Sequence, residues 1–279
     1  MENCFESVFV CPVCRKKLSF DGKSYKCDNG HLYDKSKYGY VNLLMSNKSS
    51  SHHGDDSEMI KARSEFLNLG YYENLRNRVA EFASEYCKDG YSISDIGCGE
   101  GYYTTEIFNV LSQNHADLKM SGIDISKDAL KQAARKNKNI EYAVASAFRL
   151  PYDDKSQNMI INMFAPFSFE EYSRISSDEC IMIRVFPAEK HLLELKESIY
   201  DKVYENEIES FEFENFDMIA KERMNYRIQL KNNEEIMSLF QMTPYSYKTS
   251  REDMKKLEQK NYLETQVDFY LTIYRKSDK

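Results

Sequence analysis

Cys11, Cys14, Cys27 and His31 are the residues whose types and spacing most plainly suggest chemistry. They form two clips, CxxC and CxxxH, within CPVCRKKLSFDGKSYKCDNGH. Two cysteines separated by two residues can turn both sulfurs toward one ion, and a second pair across a short hairpin completes a tetrahedron. Pro12 and Gly30 suit the tight turns such loops need. With four protein donors no corner is left for water or substrate, so the spacing predicts a structural zinc rather than a catalytic one. A unit this small buries too little apolar surface to fold alone, and metal binding supplies much of its folding free energy. Its function must then lie on its surface. Arg15, Lys16, Lys17, Lys23, Lys26, Lys35 and Lys37 are interleaved with Tyr25, Tyr33, Tyr38 and Tyr40, a face suited to phosphate contact and base stacking.

A second stretch, DIGCGEG at 95–101, follows a strand-like run and opens a helix-like one. Gly97, Gly99 and Gly101 let the backbone approach a ligand closely. A dinucleotide fingerprint would place its third glycine where Tyr102 stands, which disfavours NAD and favours S-adenosylmethionine. Asp124, closing GIDI, lies at the separation at which a carboxylate reaches ribose hydroxyls. Ser146, at the end of the third strand of this series, stands where an acceptor for the adenine amine is expected. In NMFAPF, Phe164 and Phe167 offer aromatic faces, and the backbone around Ala165 offers carbonyls to a base.

The elements that must position these groups read as alternating β and α. EMIKARSEFLNLGYYENLRNRVAEFASEYC has helical spacing with a break at Gly70–Tyr72. YSISDI, KMSGIDI, IEYAVA, NMIINMF and CIMIRVF read as strands, with TTEIFNVLSQN and KDALKQAARKN as helices between the first three. Such alternation predicts an α/β fold, a mainly parallel Rossmann-like sheet with helices on both faces. The C-terminal section is less regular, with two helical runs and a closing strand, YLETQVDFYLTIYRK. Ahead of the sheet, SNKSSSHHGDDSE is polar and aperiodic and reads as a linker, its His52 and His53 solvent-exposed. The expected organisation is a metal module at 1–46, a linker at 47–60 and a catalytic domain at 61–279.

Composition narrows the function classes. No apolar run is long enough to span a bilayer, and MENCFESVFVCP carries no secretion signal, so no membrane partner is expected. Seven cysteines, three of them in the clips, fit a reducing cytoplasm and metal binding rather than a disulfide framework. The net charge is −7, yet residues 1–50 carry eight Lys/Arg against five Asp/Glu, so any phosphate contact belongs preferentially to the basic front module.

The two clips, YGYVNLL, GDDSEM…AR…FL…GYY, DIGCGEGYYT, RLPY and HLLELK, in this order, resemble the 23S ribosomal RNA guanine-N1 methyltransferases, a family that includes tylosin (macrolide) resistance enzymes. The resemblance covers nearly the whole chain. It implies an RNA-recognising zinc module joined to a class I methyltransferase domain, acting on a guanine in a 23S rRNA hairpin near the peptide exit tunnel. It assigns zinc to Cys11, Cys14, Cys27 and His31, and cofactor contacts to Tyr72, Tyr103, Thr104 and His191. A homodimer is kept open. Two departures are visible: RISSDECIMI replaces a Lys-Pro-Gly-Gly turn, and FPAEKH lacks an expected glycine before His191. N1 of guanine carries a proton that must be accepted, and no residue declares itself as that base. Two other readings remain open at this point, a zinc-bearing methyltransferase of small molecules and an RNA-binding relative that has lost catalysis.

Overall fold

The computed structural model describes residues 5–45, 56–208 and 210–277. The N-terminal module is a four-stranded antiparallel sheet of β1 (Phe5–Val10), β2 (Lys17–Phe20), β3 (Ser24–Lys26) and β4 (Leu32–Asp34), in that order. Next, β5 (Tyr40–Asn42) leaves this sheet and pairs in parallel with a strand of a larger one. The residues 46–55, with His52 and His53, and Cys4 lie outside the described residues; Ser57–Ile60, read as linker, are already helical.

The chain then runs α1 (Ser57–Asn68), α2 (Glu73–Tyr86), β6 (Ser92–Ile96), α3 (Tyr102–Asn114), β7 (Lys119–Asp124), α4 (Lys127–Lys136), β8 (Glu141–Val144), β9 (Gln157–Met163), α5 (Phe169–Ile175) and β10 (Ser176–Pro187). It closes with α6 (Leu193–Glu197), β11 (Phe216–Leu230), α7 (Asn233–Gln241), a 3-10 turn at Pro244–Tyr247, α8 (Arg251–Glu258) and β12 (Leu263–Lys276). Local chemistry sets the boundaries. Asp56, Ser126, Asn232 and Ser250 each accept a bond from a backbone N–H of the first turn, capping α1, α4, α7 and α8. Gly70, at φ +83°, ends the first helix where the Gly-Tyr-Tyr break was read.

The large sheet has the order β11-β12-β10-β9-β6-β7-β8-β5. Every pairing from β5 to β10 is parallel, while β12 is antiparallel to both β10 and β11. From β6 the chain winds outward to β8, then returns to the other side of β6 as β9. That reversal opens a crevice at the carboxyl ends of β6 and β9, where open α/β sheets bind ligands.

Side chains alternate between two cores, as the two-residue period of strands requires. Met159, Ile161 and Met163 of β9 share one core with α2, α3 and α4, whereas Ile160 joins a second with α5. The β8–β9 connection, residues 145–156, contains no helix, and the N-terminal module covers the sheet there. Phe9, Leu18, Phe20 and Tyr25 enter the second core, and the Val10 amide donates to the Pro151 carbonyl at 2.8 Å. Arg15 donates to the carbonyls of Leu150 and Tyr152 at 2.9 and 2.7 Å. Charge-assisted bonds of this kind contribute about 1.5–3 kcal/mol each. In RISSDECIMI, Glu179 adopts the left-handed conformation (φ +60°), and a register shift between Ser176 and Ile181 starts β10 without glycine. Among the described residues no helix is long and apolar enough to cross a membrane.

Candidate active site and metal centre

The β1–β2 connection carries Cys11 and Cys14, and the β3–β4 connection carries Cys27 and His31, so the antiparallel sheet brings both clips to one end. The Cys11 and Cys27 sulfurs lie 3.5 and 3.3 Å from Nδ1 of His31, and the Cys14 and Cys27 sulfurs are 3.6 Å apart. All four donor atoms fall within 4.8 Å of one another. A tetrahedron with bonds of about 2.0–2.3 Å has edges of about 3.3–3.8 Å, so the donor set fits zinc. The Tyr33 hydroxyl stands 3.1 Å from Sγ of Cys11. Burial raises the Cys11 thiol, but hydrogen bonds from Tyr33 and from the Cys14 and Val13 amides outweigh it and hold the pKa at about 7. Both favour the thiolate that a metal requires.

A cavity of about 670 Å³ lies at the carboxyl ends of β6, β7 and β9. Gly97, Gly99, Asp124, Tyr72, Tyr103 and His191 all line it. The turn is glycine-rich for local reasons. Gly97 and Gly101 both have φ +79°, and a Cβ would run into Ala165 at the first and Ala133 of α4 at the second. The Gly99 amide donates to Oδ2 of Asp124 at 2.9 Å while the Ser126 amide donates to Oδ1 at 2.8 Å. One carboxylate thus ties the turn to the end of β7.

Tyr72 and Tyr103 present hydroxyls without hydrogen-bond partners, and burial pushes both phenols well above their ordinary range. They are neutral donors awaiting an acceptor. Tyr72 is held edge-on by Phe66 and Phe269, at 5.1 and 5.2 Å between ring centres. Nδ1 of His191 accepts from the Asp268 amide at 3.3 Å, which leaves the proton on Nε2. Burial drives the His191 pKa down to about 3, so the ring is neutral.

Two expected contacts are placed elsewhere. Thr104 is fully buried and outside the cavity lining; its hydroxyl donates to Oδ2 of Asp95 at 2.5 Å. Ser146 is half-buried outside the lining, its Oγ accepting from the Phe148 amide. Phe164, at φ +58°, stands at the cavity rim 5.1 Å from Phe269, but Phe167 is in the core against Tyr172 and beneath Arg184. On the N-terminal module, Arg15 is engaged with backbone carbonyls, Tyr25 is buried and Tyr33 faces Cys11. The lysines at 16, 17, 23, 26, 35 and 37 remain exposed.

Sequence reasoning passed over Asp95, Glu100, Arg63, Glu207, Phe269 and the segment Met242–Tyr245, all of which line the cavity. Asp95 is 1% exposed; burial, with the nearby Asp124 charge, raises its pKa to about 7. Oδ1 of Asp95 and Oε1 of Glu100 have no partner. Its place at the head of DIGCGEG was the available signal for Asp95. Buried orphan acceptors and phenolic donors around one crevice fit a ligand with ammonium, carboxylate and hydroxyl groups, as S-adenosylmethionine has.

A doubly wound sheet with a glycine turn at its switch point, plus a closed Cys₃His cluster, defines a class I methyltransferase fused to a zinc ribbon. The family described as "RlmA, N-terminal" matches residues 9–52, and a methyltransferase domain family matches residues 93–177. A Bacillus subtilis (strain 168) protein provisionally named a 23S rRNA (guanine-N1)-methyltransferase, YxjB, is 28% identical over 281 residues, covering 96% of each chain. The 23S rRNA (guanine(748)-N1)-methyltransferase of Streptomyces fradiae is 31% identical over 192 residues, 68% of this chain and 66% of that one. A Micromonospora griseorubida protein, provisionally named in the same way as the first, is 28% identical over 86% of each chain. The chain belongs to the 23S rRNA (guanine-N1)-methyltransferase family, and its cofactors are S-adenosylmethionine and zinc.

Proposed function

We propose that this protein methylates N1 of a guanine in 23S rRNA, within a hairpin near the peptide exit tunnel, in the cytoplasm. The observation that carries the reading is the union, in one chain similar to such enzymes along its length, of a closed metal cluster and a lined crevice at the carboxyl ends of the large sheet. In this reading residues 1–46 form the RNA-recognition module, 47–60 a linker and 61–279 the catalytic domain, with homodimerisation as a further element. Cys11, Cys14, Cys27 and His31 would hold zinc.

Bound in the crevice, S-adenosylmethionine supplies an activated methyl group on a sulfonium. The chain aligns and deprotonates. Gly97 and Gly99 leave room at the turn, Asp124 would accept from the ribose hydroxyls, and Asp95 and Tyr103 would offer an acceptor and a donor to the amino-acid end. Tyr72 and the Nε2–H of His191 donate beside them, while Thr104 acts through Asp95. Ser146 would need to reach the adenine from outside the present lining.

Guanine N1 must lose its proton as the new bond forms. Among the described residues, four carboxylates line the cavity. Asp95 is engaged by Thr104, Glu100 by Lys136 and Asp124 by two amides. Glu207, exposed at the mouth, is the one we assign to accept the N1 proton and pass it to water. Phe164, exposed at the rim and backed by the buried Phe269, offers a face against which an unstacked base can rest, offsetting part of the cost of extrusion.

The test is transfer of labelled methyl from S-adenosylmethionine to 23S rRNA, with N1-methylguanosine recovered from the digest. Label confined to small molecules would overturn the reading.

A further inference from the structure

A second concavity, about 540 Å³, lies where Tyr38 of the zinc ribbon meets α4 and the start of α1. Three cations converge on the Tyr38 ring: Lys37 Nζ at 5.1 Å, Lys131 Nζ at 4.9 Å and Arg135 Cζ at 4.7 Å from its centre. All three charges therefore fall within about one Debye length of one another at 0.1 M salt, so salt screens their repulsion only in part. The facing carboxylates neutralise them only in part. Asp128 pairs with Lys131 at 3.4 Å and Glu100 with Lys136 at 2.6 Å, while among the described residues Lys37 and Arg135 have no ion-pair partner. Like charges gathered on an aromatic ring from two separate segments make an anion site.

Its position says which anion. A Cβ on Gly39, next to Tyr38, would lie 3.3 Å from Cβ of Ala134, and one on Gly101 of the cofactor turn would lie 3.0 Å from Cβ of Ala133. The ribbon and the cofactor turn thus press on adjacent residues of α4, about one helix diameter, roughly 10 Å, apart. Lys136 stands at the cleft and reaches Glu100 in the cavity wall. We propose that this cleft grips the phosphodiester backbone of the RNA strand flanking the methylated guanine, so that RNA is read across the ribbon–α4 junction rather than on the ribbon alone. The proposal rests on rRNA being the substrate.

The test uses full-length, zinc-loaded protein and a 23S rRNA fragment that the wild type binds and methylates. The double variant Lys131→Ala/Arg135→Ala should bind that RNA at least about 10-fold more weakly at 0.1 M salt. Its log–log salt slope should flatten by about 1.5, the loss of two phosphate contacts. Affinity for S-adenosylmethionine should not change, and Lys131→Arg/Arg135→Lys should restore RNA binding. If the double variant melts early, Lys37→Ala in the exposed turn serves instead, with about half the change in slope. An unchanged slope and affinity would overturn the cleft and leave the RNA reading standing. Polyglutamate competing as well as an equal charge of RNA, or inorganic phosphate alone saturating the site, would overturn it too. A wild type that neither binds nor methylates any rRNA fragment overturns the RNA reading itself, which activity on a small molecule would make plain.

Discussion

The metal centre and the cofactor cavity are built on opposite plans. Four donors separated by no more than a short hairpin make the first, all of them from residues 11–31 and within 4.8 Å of one another. The cavity takes residues from Arg63 to Phe269, delivered by strands, loops and a C-terminal segment that meet only when the sheet is complete. Among the described residues, none that lines it comes from the zinc ribbon. The ribbon instead covers the face of the sheet that the helix-free β8–β9 connection leaves open. The locally specified unit packs against the sheet yet contributes no lining residue, so its loss should spare the cavity lining, while the cavity can be damaged from almost any part of the chain.

The largest expected effect breaks the comparison on its local side. Cys27→Ser should abolish stoichiometric zinc, measured by elemental analysis. It removes a large share of the roughly 10–16 kcal/mol by which structural zinc stabilises small fingers. Methylation of RNA should disappear, whereas titration calorimetry should show S-adenosylmethionine bound within about fivefold of wild type. Equal loss of cofactor binding would mean the two regions are one cooperative unit.

On the cavity side, Glu207→Gln keeps the side chain's size and removes the proton acceptor. Turnover should fall by about 10²–10⁴-fold, the usual contribution of a general base, with cofactor affinity unchanged. A fall of less than about threefold would remove Glu207 from the chemistry. Asp124→Ala comes next. It strips the Gly99 and Ser126 amides of a shared charged acceptor, whose bonds are worth about 1.5–3 kcal/mol each. Cofactor affinity should drop about 10- to 100-fold, with turnover at saturating cofactor little changed.

This contrast also explains what could be read in advance. The clips and the glycine turn are signals of adjacent residues, and Cys11, Cys14, Cys27, His31, Gly97 and Asp124 were legible from spacing alone. Phe269 and Met242–Tyr245 were not, because their place depends on β12 and α7 closing over the crevice from the far end of the chain. β11 escaped for a different reason. As the outer strand it pairs, among the described strands, only with β12, so FDMIAKERMNYRIQL keeps charges at exposed positions and lacks the apolar run of a central strand. Likewise, the lysine-tyrosine face of the ribbon looked continuous in sequence. Folding engages Arg15 with the sheet, buries Tyr25 and turns Tyr33 to Cys11, leaving Tyr38 to meet cations from α4.

The smallest effect is the most discriminating, because a single carboxyl should give two opposite slopes. Asp95 has its pKa raised to about 7 from an ordinary 3.8 by burial and by the Asp124 charge. Without cofactor, the native state therefore keeps a proton that the unfolded chain releases between about pH 3.8 and 7. Over that window its contribution to stability falls as pH rises. Cofactor binding should run the other way, since an ammonium favours the ionised carboxylate. From pH 8 to pH 6, affinity should fall by several-fold, up to about tenfold per unit below the pKa. His191, neutral because burial holds it near 3, adds a stability slope of opposite sign below about pH 6.5, so Asp95 is isolated by comparing wild type with Asp95→Asn at each pH. That variant should bind S-adenosylmethionine with a flat profile, and between about pH 4 and 6.5 its stability should rise with pH through His191, a slope that Asp95 offsets in wild type. If wild type and variant share one profile, Asp95 stays protonated or unliganded throughout, and the amino-acid end of the cofactor must be held by the tyrosines alone.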